Sequence, residues 1–113
     1  MGLTLKKSNN VAILTRDIQL ARKFYGDILH LPIVKESATK IEFQTGESCF
    51  YIIKNDEMEN TVLEYLVNNL EAAKEYLLEN GCEIVKWEGK GRDCYMKDPF
   101  GTIFNLWEEK TEK

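Results

Sequence analysis

Side chains able to do covalent or metal chemistry are few in this chain of 113 residues. Cys49, Cys82 and Cys94 are odd in number and widely spaced, and no CxxC pair occurs, so neither a zinc ribbon nor a redox dithiol is indicated. They read as reduced and mostly buried thiols. The one histidine, His30, is placed away from Ser48 and Cys49, so a nucleophile with an adjacent base is not indicated either. Nineteen acidic residues against fifteen basic ones give a net charge of −4, and no Lys/Arg run offers a nucleic acid a basic face.

The elements that position these residues follow from pattern. Apolar residues at 43% and charged residues at 30% fit one globular domain, and no apolar run approaches the roughly 20 residues of a membrane span. Lys6 and Lys7 are followed by no signal-like apolar stretch, which makes a cytoplasmic location the expectation. Val11–Leu14 reads as a short strand. Asp17 caps a helix carrying Ile18, Ala21, Tyr25 and Ile28, which ends before Pro32. Extended segments follow at Ile33–Glu36, Lys40–Gln44 and Cys49–Lys54, with turns at Ser37-Ala38 and Thr45-Gly46-Glu47. Residues 55–60 form a polar joint. Thr61–Val67 is again a strand, and Asn69 caps a helix that stops at Asn80-Gly81. Strands at Glu83–Trp87, Asp93–Lys97 and Thr102–Glu108 complete the chain.

The order is βαβββ, a joint, then βαβββ again. A shift of 52 positions, the separation of Asp17 from Asn69, also brings Val11 onto Leu63, Ala21 onto Ala73 and Phe24 onto Tyr76. Strand, cap and helix face coincide together, which indicates a duplication.

Those residues resemble the vicinal oxygen chelate superfamily, which includes glyoxalase I, fosfomycin-resistance enzymes, extradiol dioxygenases and bleomycin-binding proteins. The motifs are Val11-Ala12-Ile13-Leu14-Thr15-Arg16-Asp17, Lys23-Phe24-Tyr25-Gly26-Asp27-Ile28-Leu29-His30-Leu31-Pro32, Asn69-Leu70-Glu71-Ala72-Ala73, Gly81-Cys82-Glu83-Ile84 and Tyr95-Met96-Lys97-Asp98-Pro99-Phe100-Gly101-Thr102. The resemblance implies an α+β domain over residues 1–113. Its two modules, about 9–54 and about 61–109, form a curved eight-stranded mixed sheet with helices on the convex side and a concave ligand cavity.

Enzymes of that superfamily hold a divalent metal through His, Gln or Glu on four strands. Carried over, those positions fall on Asn10, Tyr51, Val62 and Asn105. Val62 has no lone pair, carboxamides are neutral, and a phenol near pKa ~10 stays protonated at neutral pH. No metal and no cofactor are therefore expected. His30 sits in a turn where relatives often carry glycine, which implies a structural or surface role.

Alternation along the strands gives the cavity face. Asn10, Ala12 and Leu14 share it with Cys49, Tyr51 and Ile53, with Val62, Glu64 and Leu66, and with Ile103, Asn105 and Trp107. Tyr95 falls where related enzymes place a substrate-contacting tyrosine. The opposite parity, with Val11, Ile13, Phe50, Leu63, Phe104 and Leu106, makes the helix-packed core. Asn10, Tyr51, Glu64, Tyr95, Asn105 and Trp107 are the expected ligand contacts, in a pocket that is otherwise apolar. Trp87 reads as core or interface. Three functions stand open: a protein of the bleomycin-binding kind that sequesters a small molecule without metal, a glyoxalase-like enzyme of atypical, metal-free mechanism with Glu64 as base, and a partner-binding or regulatory module whose cavity is vestigial. A homodimer is the family-level expectation, with no nucleic-acid or membrane partner.

Overall fold

A computed structural model describes residues 2–109. Its elements run β1 (Leu5–Thr15), α1 (Ile18–Arg22) continuing as a wider π turn over Lys23–Ile28, β2 (Ile33–Glu36), β3 (Lys40–Thr45), β4 (Ser48–Lys54), β5 (Thr61–Val67), α2 (Leu70–Glu79), β6 (Glu83–Trp87), β7 (Cys94–Lys97) and β8 (Ile103–Glu108). No helix among the described residues is long and apolar enough to cross a membrane.

Two compact units divide the chain: Asn9–Val62, and Leu63 onward together with the segment ending at Ser8. The first has the strand order β2-β3-β4-β1 and the second the order β1-β5-β8-β7-β6, with β1 common to both, so all eight strands fall in one mixed sheet. β1 runs parallel to β4, while β2/β3, β3/β4, β6/β7 and β7/β8 are antiparallel. The fold is α+β with two βαβββ halves.

Local chemistry fixes the element ends. The Asp17 carboxylate accepts from the Leu20 amide at 3.0 Å and the Asn69 side chain from the Ala72 amide at 3.0 Å, so each helix starts on a side-chain cap. In the turn before β8, the Asp98 carboxylate accepts from the amides of Phe100 and Thr102, and Gly101 takes φ +96°.

Two features depart from the sequence reading. β1 begins at Leu5 rather than Val11, because Lys6–Asn10 pair through their backbones despite polar side chains. The first helix keeps α geometry only to Arg22; the Leu29 amide then bonds the Phe24 carbonyl at 2.9 Å, five residues back. His30 follows with φ +62°, the one non-glycine residue with positive φ among those described.

Each unit has its own core on the helix side of the sheet. In the first, Ile18 packs with Ile41, Phe43 and Ile52, joined by Ile13, Tyr25 and Phe50. In the second, Leu70 and Ala73 of α2 pack with Val67, Cys94, Met96, Phe104 and Leu106, joined by Leu3, Leu63 and Trp87. The strand residues in these clusters share the parity that alternation assigns to the core.

Candidate functional site

Asn10, Tyr51, Glu64, Tyr95, Asn105 and Trp107 occupy the opposite parity, between the core residues of their strands. In the first unit, Asn10 Oδ1 accepts the Cys49 amide hydrogen at 3.0 Å, across the parallel β1/β4 pair. The Cys49 thiol donates to Glu42 Oε2 at 3.3 Å, and the Lys40 ammonium lies 4.6 Å from the centre of the Tyr51 ring. Val62 is buried.

The second unit repeats the asparagine device. Asn105 Oδ1 accepts from the Cys94 amide at 3.0 Å. A backbone N–H donates only to the oxygen of a carboxamide, so this bond fixes which end of the Asn105 amide faces Cys94. Tyr95 is the cross-strand partner of Asn105 in the β7/β8 register. Only 4% of Tyr95 is exposed, and burial, with the nearby Asp93 and Glu88 carboxylates, pushes its phenol up to about 12. The Tyr95 hydroxyl is therefore a proton donor throughout the neutral range. On β5, Glu64 is half-buried and its Oε1 accepts from the Ser8 hydroxyl at 2.7 Å. The sequence reading missed Ser8, because its partnership depends on the polar start of β1.

Within the second unit, a cavity of about 470 Å³ is lined by Leu66, Lys90, Gly91, Trp107, Glu108 and Glu109. Trp107 is 41% exposed and, with Leu66, forms the apolar wall. Lys90 Nζ meets Glu108 Oε2 at 3.0 Å, while Glu108 Oε1 accepts the Leu70 amide hydrogen at the start of α2, at 2.9 Å. The Leu70 amide, and then Lys90, hold the Glu108 carboxyl below its ordinary value. Trp87 packs instead on the core, with the Lys74 ammonium 5.0 Å from its ring centre.

Taken one by one, the residues at the four positions that the resemblance assigns to metal ligands are poor donors for a catalytic cation. Both asparagine oxygens are turned to backbone amides, Val62 is an aliphatic group, and Tyr51 is a phenol under a lysine. Among the described residues no group of three or more His, Cys, Asp or Glu is placed to hold a metal ion.

No protein-family model matches the chain, and no curated protein does. Solved structures do. A hypothetical protein from Bacillus halodurans C-125 superposes with a TM-score of 0.66 at 15% identity, over 97% of this chain and 98% of that one. An extradiol ring-cleaving dioxygenase from B. fuscum gives 0.65 at 19% identity, over 95% of this chain and 33% of that one. Homoprotocatechuate 2,3-dioxygenase from Arthrobacter globiformis gives 0.63 at 21%, over 93% and 36%. The chain thus spans about a third of the dioxygenases it matches. The likeness is one of fold: the chain has the fold of these structures, as the resemblance noted in the sequence implies.

Proposed function

We propose that the chain binds a small molecule without metal chemistry, in the manner of the glyoxalase- and bleomycin-resistance-like proteins that sequester a ligand. The cavity walled by Trp107 and Leu66 carries the reading, since it pairs an exposed indole and an apolar side chain with a few fixed polar groups. Glu64, Tyr95 and Asn105 lie on the same sheet face as Trp107 and supply polar contacts. The carboxamides and the aliphatic side chain at the superfamily's ligand positions support a role that needs no Lewis acid.

Thermal-shift screening against aromatic metabolites and antibiotics tests this. Compounds that stabilise the chain, and lose that effect in Trp107→Ala and Leu66→Glu, are expected. Stabilisation that survives both substitutions would place the ligand elsewhere. Turnover of an α-keto or epoxide substrate, abolished in Glu64→Gln, would move the reading to a metal-free enzyme with Glu64 as base.

A further inference from the structure

The face of α1 turned away from the core keeps a run of large apolar side chains in solvent, a feature that marks interaction surfaces. Leu20 is 64% exposed and Ile28 56%, and Phe24 and Leu29 are each nearly half exposed. Leu20, Phe24 and Ile28 line a groove of about 550 Å³ together with Ile13, Ala21 and the charged pair Asp17 and Lys23. All of these residues lie in the unit Asn9–Val62, whereas the Trp107 cavity is lined from the other unit.

The π turn makes the three side chains a straight row. In a regular helix eight residues overshoot two full turns by about 80°, which would carry Ile28 well round the helix from Leu20. Here the Leu29 amide reaches back five residues to the Phe24 carbonyl, and the wider turn holds more residues per turn. Ile28 therefore comes back toward the line of Leu20 and Phe24. Ile18 and Tyr25 meanwhile stay on the core side, so the irregular turn costs the packed face nothing. π turns of this kind concentrate where a surface is used.

The charges beside the row say what covers it. Asp17 and Lys23 each stand three residues from Leu20, on opposite sides and with opposite signs. Both are exposed, and neither forms an ion pair among the described residues. A two-fold axis at Leu20, with two α1 segments antiparallel, sets Leu20 against its own copy and brings each Asp17 level with the partner's Lys23. The surface is thus complementary to itself, apolar at the centre and acid toward base twice over at the ends. We propose that a second copy of the chain covers the α1 face, pairing through Leu20, Phe24 and Ile28 with Asp17 toward the partner's Lys23.

Sedimentation equilibrium on the full chain, at up to about 1 mM, reads the association. A monomer–dimer equilibrium is expected. Leu20→Arg sets like charges against each other on the axis and should weaken the dimer at least about a hundredfold. Ile28→Lys, further along the row, reads the same surface should Leu20→Arg fail to fold. The charge pairing is tested separately. Lys23→Glu opposes two carboxylates at each end and should weaken the dimer about tenfold. Adding Asp17→Asn keeps a helix cap while removing the opposing charge, so most of that loss should be recovered. A monomeric wild type would overturn the proposal, as would a dimer that survives the substitutions at Leu20 and Ile28. A dimer indifferent to Lys23→Glu, or not recovered by Asp17→Asn, would overturn the antiparallel pairing about Leu20.

Discussion

Replacing Asn105 by leucine isolates one side-chain hydrogen bond. The Cys94 residue is fully buried, and its amide donates to Asn105 Oδ1 at 3.0 Å. Leucine has nearly the shape of asparagine but no acceptor, and water cannot reach the Cys94 amide in its place. A buried donor left unpaired costs about 1–3 kcal/mol. For a domain of this size, that corresponds to a fall in Tm of roughly 4–12 °C. Asn105→Asp keeps an oxygen at the same place and should stay within about 1 kcal/mol of the wild type. Urea unfolding with unchanged m-values gives the two differences, and amide hydrogen exchange at Cys94 reports the bond directly. Faster exchange in the leucine variant and near-normal protection in the aspartate variant are expected. A leucine variant as stable as wild type would refute the view that Asn105 is committed to the β7 backbone.

Other outcomes follow from the same structure. At His30, with φ +62°, glycine removes a steric penalty of about 1–2 kcal/mol but returns about 0.4–1 kcal/mol to the unfolded chain. His30→Gly should thus raise Tm modestly and His30→Val should lower it, as calorimetry would show; the reverse order would contradict the backbone geometry. The folded-state pKa of Glu108 is depressed, so its contribution to stability is full above the unfolded carboxyl value and is lost as pH falls through the folded one. Wild type should lose more stability than Glu108→Gln between neutral pH and that acidic range, and parallel pH profiles would argue against the Leu70 amide contact. Leu20, Phe24 and Ile28 form an exposed apolar row, and Asp17 and Lys23 are equally spaced about Leu20, which suits a two-fold pairing of copies. Sedimentation should show a dimer that Leu20→Arg dissociates; a monomeric wild type would rule this surface out.

Most of the fold was legible because each element is specified twice, by apolar period and by a terminal residue. Ile33–Glu36, Thr61–Val67 and Glu83–Trp87 have the bounds the pattern predicts, and Asp17 and Asn69 cap as expected. What escaped has a common cause. The start of β1 is held by backbone pairing under polar side chains, and hydrophobic period carries no signal there. The π turn at Lys23–Ile28 keeps apolar spacings that also suit a regular helix. The parity of the candidate residues could be read from alternation. The commitments of Asn10 and Asn105 to neighbouring backbones could not, since a sequence does not say where a strand's side chain meets the next strand's unpaired amide.

One strand, β1, serves both units: its first four residues belong with the C-terminal half, the rest with the N-terminal half. A fragment comprising only the second βαβββ repeat would lack Leu3 from its core and the Ser8 hydroxyl from Glu64. The repeats are therefore stitched rather than merely joined. Splitting the chain for complementation, or permuting its ends, would have to carry that opening octet along with the later half.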